Sequence, residues 1–447
     1  MTRFKHIIKR SGKKVPFTPH RITNAIYRAA VAVGGRDKAI AEGLTTQVIA
    51  LLEETIPQGN IPTVEEMQDA VEKILIENGH AKVAKAYILY RDERARMRDL
   101  RKLQTIRPSS NIPWAKIWQI LDWASSHDLH TIRRYDTRMK NGDLQQIVSE
   151  SEMFYEEDIK LAADMVGEKR NTIKIVLISG PSSSGKTTST IKIGACLKQM
   201  GLSLVALNVD NYFFDLEQHP KDEFGDYDFE TPQALDLELI NDHLTKLVAG
   251  EEIMMPFYDF KNGRRVEEQT PMKIGKHDVI LIDSLHGLYP PLTENIPAEN
   301  KFKIYLEPLL QMKDAKGKYI KWTDIRLMRR MLRDAAFRGY DPERTLTHWH
   351  YVRSSEMRNI IPNNMYADVI INSAMPYELS LYKAKLFDSF MRWEKKFKND
   401  PLREDAYTRA SRILELLREI PELSDDNFVP KDSVIREFIG GSSLEYH

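Results

Sequence analysis

The chain has 447 residues, of which 42% are hydrophobic and 29% are charged, and its formal net charge is zero. This length allows two or three domains, and the balanced charge gives no support to a nucleic-acid or membrane-surface function. A single cysteine, Cys196, excludes a disulfide framework and fits a reducing compartment. No apolar run approaches the length of a membrane span, so we expect a cytoplasmic protein with no membrane partner.

The sequence pattern of residues 1–98 predicts a compact domain made of a β-hairpin and four helices. The hairpin carries a basic cluster that includes Lys9 and Arg10. Thr63 and Glu66 have the spacing of a capping box, which marks the start of the third helix. Charge alone explains the basic cluster better as a solvated surface than as a phosphate site.

Two stretches of this domain, IIKRSGKKVPFTPHRITNAI and PTVEEMQDAVEKILIENGHAKVAKAYILYRDER, resemble the ATP-cone family. The resemblance implies an allosteric sensor that binds ATP or dATP, with Lys9 and Arg10 at the nucleotide phosphates. Because a cone can act by changing how subunits associate, we also expect a homo-oligomer. Residues 99–170 begin with proline-containing polar sequence and continue with helical patterns, so we expect a helical linker region.

The stretch IKIVLISGPSSSGKTT, residues 173–188, predicts a buried strand followed by a phosphate-binding loop and a helix. It matches the pattern G-x-x-x-x-G-K-[ST], in which backbone N–H groups and the helix N-terminus surround phosphate oxygens. The lysine reaches the β- and γ-phosphates, and the following hydroxyl faces Mg²⁺. The expected nucleotide-binding residues are Gly180, Ser182, Ser183, Ser184, Gly185, Lys186, Thr187 and Thr188.

Further apolar runs after this loop alternate with helical patterns, which predicts an α/β fold with a mainly parallel, doubly wound sheet over residues 171–447. Asp210 follows one such strand and Asp283 ends another. At the carboxyl edge of a sheet, Asp210 could accept a proton from an attacking hydroxyl, and Asp283 could face the metal. Asp210 could equally cap a loop.

Between residues 322 and 339 lies a helical pattern rich in arginine. Arg326, Arg329, Arg330 and Arg333 recur at i, i+3, i+4 and i+7, which places four cations on one helical face. An anionic partner would remove their repulsion, so we expect a lid helix that faces phosphate. The alternatives are ion pairs with nearby acidic residues or a solvated face.

The motifs GPSSSGKTT, VDNYFFD, YDFETPQALDLELI, PFYDF, TDIRLMRRMLRD and ADVIIN occur in the order found in the uridine kinase/phosphoribulokinase-like family. This resemblance implies an ATP- and Mg²⁺-dependent kinase that phosphorylates a hydroxyl of a small acceptor. The roles that it implies are a general base at Asp210, catalytic cations at Lys186, Arg329 and Arg333, metal-side groups at Thr187 and Asp283, and acceptor contacts at Tyr212, Glu230, Tyr258 and Arg326.

Three departures from the uridine kinase pattern leave the acceptor open. Glu230 replaces an aspartate, Gly263 stands where a histidine helps to read a pyrimidine, and Asp283 replaces the usual glutamate. A nucleoside is the favoured acceptor. A sugar phosphate is the nearest alternative, and a nucleotide-sensing switch that acts on a partner is an alternative of another class.

Overall fold

A computed structural model of the chain describes residues 2–9, 14–91, 112–220, 231–275 and 277–444. Its contacts divide the chain into two compact units. The first contains residues 1–109 and 399–404, and the second contains residues 110–398 and 405–447. Residues 112–170, the described part of the predicted helical linker region 99–170, belong to the second unit.

The first unit combines a small hairpin with helices, as the sequence predicts. Strands β1 (His6–Ile8) and β2 (Lys14–Pro16) pair antiparallel. The helices are α1 (Pro19–Ala32), α2 (Lys38–Thr55), α3 (Val64–Glu77) and α4, of which residues 81–91 are described. The predicted capping box of α3 is present, with both reciprocal bonds between Thr63 and Glu66. The buried core includes Ile22, Ile26, Leu44, Val48, Leu52, Val71 and Leu75.

The second unit contains a parallel sheet and a separate antiparallel hairpin. Its strands are β3 (Ile175–Ser179), β4 (Ser203–Ala206), β5 (Ile253–Asp259), β6 (Arg264–Met272), β7 (Asp278–Asp283), β8 (Lys301–Glu307) and β9 (Val369–Asn372). The sheet has the order β4-β7-β3-β8-β9 and every pairing in it is parallel. Among the described residues, β5 and β6 pair only with each other.

Helices cover both faces of this sheet. They are α5 (Trp114–Ser126), α6 (Ile132–Lys140), α7 (Leu144–Glu168), α8 (Lys186–Gln199), α9 (Leu237–Val248), α10 (Trp322–Phe337), α11 (Pro342–Ser355), α12 (Glu378–Phe397), α13 (Glu404–Glu419) and α14 (Arg436–Ile439). Alternate residues of β3 enter two different hydrophobic clusters, with Val176 and Ile178 in one and Ile175 and Leu177 in the other. Burial on both faces explains the unbroken apolar run of β3 and confirms the doubly wound α/β prediction. Within the described residues, no helix is long and apolar enough to span a membrane.

Candidate active site

The phosphate-binding loop connects β3 to α8, as its sequence predicts. Gly180 must be a glycine because a Cβ there would lie 2.3 Å from the carbonyl oxygen of Leu306 on β8. Gly185 has φ of +90°, which favours glycine, and it directly precedes the first residue of α8. Lys186 folds back over the loop, and its Nζ donates to the carbonyl oxygen of Gly180 at 3.0 Å.

Three consecutive serines form the middle of this loop. The Ser182 N–H donates to Glu356 Oε1 at 3.2 Å, which anchors the start of the loop. The hydroxyl oxygens of Ser183 and Ser184 are buried and have no hydrogen-bond partner among the described residues. Buried polar atoms without a partner cost about 1–3 kcal/mol each, so these hydroxyls suit a site that is completed by a ligand.

Two strand-end carboxylates lie within electrostatic range of Lys186. Asp283 ends β7, where the sheet register pairs it with Ile178 of β3. Asp210 lies in a 3₁₀ turn after β4, and its N–H donates to the side chain of Asn208 at 3.0 Å. Burial raises the pKa of Asp283 to about 6 against the opposing effect of Lys186, with smaller contributions from Glu437 and Asp210. Desolvation also raises the pKa of Asp210, and Lys186 opposes this shift too.

The buried arginines of α10 form ion pairs, which is the alternative to a helix that faces phosphate. The Arg326 side chain has no exposed surface and makes two bonds to Glu356, at 2.6 and 2.9 Å. It also donates to the carbonyl oxygen of Ser182 at 3.0 Å, so it braces the phosphate-binding loop rather than contacting an acceptor. Arg329 is equally buried, and Glu378 occupies its Nε and Nη2 at 2.7 and 3.0 Å. Both guanidiniums are therefore occupied by buried carboxylates in this structure.

The partly exposed arginines of the same helix lie closer to the predicted role. Arg330 Nη1 donates to Ser182 Oγ at 3.1 Å, which brings a cation to the phosphate-binding loop. Arg333 bonds to its neighbour Asp334, as the ion-pair alternative anticipated, and its side chain is 18% exposed. The sequence predicted no separate role for Arg330 and none for Glu356, because nothing in the local pattern links Glu356 to a loop 174 residues earlier.

The predicted acceptor contacts separate into different environments. Tyr212 is fully buried, and its hydroxyl bonds to His243 Nδ1 at 3.0 Å, so this hydroxyl already has a partner within the protein. Tyr258 is 2% exposed, yet its hydroxyl has no partner among the described residues, which suits a ligand contact. Glu230 lies outside the described residues.

His286 is a further group to which the sequence assigned no role. It follows Asp283 by three residues and is 5% exposed, and both of its ring nitrogens lack a partner among the described residues. Burial and the nearby Lys186 ammonium lower the pKa of His286 to about 4, so the imidazole is neutral at physiological pH. A neutral, unpaired imidazole beside Lys186 can both donate and accept a hydrogen bond within the cleft.

Comparison with known proteins matches both halves of the chain. Residues 175–379 match the family model described as the phosphoribulokinase/uridine kinase family, and residues 5–96 match the ATP cone domain. The uridine kinase of Deinococcus deserti is 31% identical over 198 residues, which cover 44% of this chain and 86% of that protein. This chain belongs to the phosphoribulokinase/uridine kinase family.

Other relatives in the family show a similar degree of likeness. The uridine kinase of Borrelia duttonii is 31% identical over 48% of this chain and 94% of its own length. Uridine-cytidine kinase B of Dictyostelium discoideum is 29% identical over 44% of this chain and 73% of its own length. Membership of this family supports a kinase that transfers a phosphoryl group, and ATP is the donor that the family implies.

One departure from the uridine kinase pattern has a structural reason. Gly263 lies in the β5–β6 turn with φ of +64°, and a Cβ there would lie 2.8 Å from the Leu216 side chain. The Leu216 N–H also donates to the Gly263 carbonyl at 2.8 Å, so the segment between β4 and α9 packs directly on this turn. A histidine at this position would be strained and would clash, and any acceptor must therefore be recognised by other groups.

The predicted nucleotide site of the cone can be placed only in part. Lys9 is exposed directly after β1, and the Ile8 N–H donates to the carbonyl oxygen of Pro62 at 2.9 Å. Arg10 lies outside the described residues.

Proposed function

We propose that this protein is an ATP-dependent kinase that phosphorylates a hydroxyl of a small acceptor, most favourably a nucleoside. The observation that carries the proposal is the position of Lys186 on an intact phosphate-binding loop, with Asp210 and Asp283 in its electrostatic field. A base, a phosphate-binding cation and an acidic metal-side group are the parts that phosphoryl transfer requires.

Each group has a chemical role in this proposal. Asp210 accepts the proton of the attacking hydroxyl, and Lys186 with Arg330 balances negative charge on the transferring phosphoryl group. Arg333 is proposed to lie on the phosphate side. Arg326 and Arg329 instead have an indirect role, because they hold the phosphate-binding loop and α10 in position. Desolvation raises the pKa of Asp210, which helps this carboxylate to hold the proton during the step.

Thr187 and Asp283 would hold Mg²⁺. Their hydroxyl and carboxylate oxygens are of the type that this ion prefers, and the negative charge of Asp210 makes the surroundings of Asp283 favourable to a cation. When bound, the ion would neutralise charge on the donor phosphates.

Unpaired polar atoms support a hydroxyl-rich acceptor. The Tyr258 hydroxyl and the His286 ring nitrogens are buried without partners among the described residues, and a nucleoside or sugar carries hydroxyls that could pair with them. Glu230 remains a proposed acceptor contact through the family pattern. Because a glycine stands at position 263 instead of the histidine, this position favours no single base.

A panel of nucleosides, sugars and sugar phosphates, incubated with Mg²⁺ and ATP, tests the proposal. We expect one class to give acceptor-dependent ADP release and a product whose mass has increased by one phosphoryl group. Asp210→Asn is the matched control, because it keeps the size of the side chain but removes the base. ATP binding without any acceptor-dependent ADP release would instead support a nucleotide-sensing switch.

The N-terminal domain is proposed to regulate this reaction. Its match to the ATP cone supports a second site for ATP or dATP, with Lys9 and Arg10 as the groups nearest the phosphates. Regulation then requires a coupling free energy between two sites, commonly about 1–3 kcal/mol, and a homo-oligomer is the assembly through which a cone would transmit it.

A further inference from the structure

The C-terminal segment, residues 429–443, is a compact part of the second unit. Its side chains at Val434, Ile435 and Phe438 are fully buried. Arg436 holds the segment together, since its Nη2 donates to the carbonyl oxygens of Asp426 and Val429 at 2.6 and 2.8 Å. The segment is therefore held by packing in the hydrophobic core of the second unit and by the hydrogen bonds of Arg436.

This segment lies against the phosphate-binding loop. A Cβ built on Gly185 would lie 2.5 Å from Val434 Cγ2, so the segment leaves room only for glycine at that position. The Phe438 ring lies under the guanidinium of Arg329, 4.9 Å from its centroid. Lys192 of α8 bonds to Asp432 at 2.8 Å, which attaches the segment to the helix that follows the loop.

Glu437 occupies hydrogen-bond donors of the phosphate-binding site. Its Oε2 accepts from the Thr188 N–H at 3.2 Å and from the Thr188 hydroxyl at 3.0 Å. Thr188 lies in the first turn of α8, a 14-residue helix whose N-terminal amides are the donors that a phosphate would use. Glu437 is 8% exposed, so its carboxylate lies inside the site.

We propose that the Glu437 carboxylate stands in for a donor phosphate and sets the affinity of the phosphate-binding loop for ATP. This inference rests on the proposed function. One anion at a time can accept the Thr188 N–H and hydroxyl, and two anions held at that distance would repel each other. ATP therefore binds only as the carboxylate leaves, and the hydrophobic anchors of the segment, Val434, Ile435 and Phe438, return it when the nucleotide dissociates.

Glu437→Gln tests this competition because it keeps the shape of the side chain and removes its charge. We expect the variant to bind Mg²⁺·ATP at the phosphate-binding loop at least fivefold more tightly and to have a lower KM for ATP, with an unchanged KM for the acceptor. Glu422→Gln is the matched control, since Glu422 is an exposed carboxylate that accepts a hydrogen bond from the nearby Ser424 hydroxyl.

Binding at the loop must be separated from binding at the N-terminal domain. Isothermal titration with Mg²⁺·ATP is done on the unmodified protein and on the Glu437→Gln and Glu422→Gln variants, each with and without Lys186→Ala. The difference gives the part of ATP binding that depends on the phosphate-binding loop. If Lys186→Ala removes no ATP binding from any of these proteins, the proposed function fails, and competition by Glu437 is not the reason for that failure. If loop binding exists but Glu437→Gln weakens it or leaves it unchanged, the competition is refuted while the kinase proposal stands.

Amide hydrogen exchange of the unmodified protein gives a measurement that does not depend on how the variant folds. With Mg²⁺ and a non-hydrolysable ATP analogue, we expect slower exchange in the phosphate-binding loop and faster exchange in residues 433–440. Slower exchange in both regions would mean that the segment closes on the nucleotide as a fixed wall, and would overturn the proposal.

Discussion

Replacing Arg329 with methionine tests whether the charged face of α10 is structural. Arg329 and Glu378 have no exposed side-chain surface, and two short bonds join them. Glu378 also accepts from the Tyr382 hydroxyl and the Met375 N–H, at 2.8 and 2.9 Å, so it cannot turn towards water. Arg329→Met leaves this carboxylate buried without its cation, which costs about 3–5 kcal/mol.

Tryptophan fluorescence during urea unfolding measures this cost in the second unit alone. All six tryptophans lie between Trp114 and Trp393, within that unit. Arg329→Met should lower the midpoint strongly, and Arg329→Met combined with Glu378→Gln should recover much of the loss because the unpaired charge is then gone.

The control for these Arg329 and Glu378 variants is Arg338→Met, at the end of the same helix. The Arg338 side chain is 54% exposed and lies 3.6 Å from Asp334, so its loss should cost less than about 1 kcal/mol. The reasoning would be refuted if Arg329→Met unfolded like the unmodified protein while its turnover collapsed. That result would return Arg329 to the phosphate.

Four further predictions concern the two proposed sites. Lys186→Ala should abolish phosphoryl transfer with little change in the unfolding midpoint, and near-native turnover would exclude the assigned role. Asp210→Asn should keep the affinity for ATP within several-fold of that of the unmodified protein and should lower turnover by ~10²-fold or more. If the variant instead lost ATP binding with no specific effect on turnover, Asp210 would have a structural role. Lys186→Ala should still bind ATP or dATP through the cone, and adding Lys9→Ala and Arg10→Ala should remove that binding; one nucleotide per chain in the unmodified protein would contradict the second site. The pKa of His286 is about 4 in the folded protein and 6.5 ordinarily, so the folded protein favours the neutral imidazole. The stability that this preference provides is complete above pH 6.5 and is lost as the pH falls towards 4. His286→Gln should therefore lose roughly 3 kcal/mol less stability than the unmodified protein between pH 6.5 and 4, and identical pH profiles of unfolding would count against a buried neutral histidine.

Local patterns predicted the strands of the sheet and the loop between β3 and α8. The run before Gly180, the glycine spacing and the lysine all act within one short stretch, and their geometry depends little on the rest of the chain. The positions of Asp210 and Asp283 also followed from sequence, because the ends of parallel strands meet at one edge of a sheet. Helix α6 and the β5–β6 hairpin were not predicted, since their short, mixed patterns carry weak periodicity.

Sequence by itself therefore determined the α/β architecture, the phosphate-binding loop and the family to which the kinase half belongs. Only the tertiary structure decided what each charged side chain meets. Helical spacing places Arg326 and Arg329 on one face of α10, but their partners come from 30 and 49 residues further along the chain. Glu437 reaches Thr188 across 249 residues. Periodicity determines the direction of a side chain from its own helix, whereas the group opposite depends on long-range packing, which no local pattern contains.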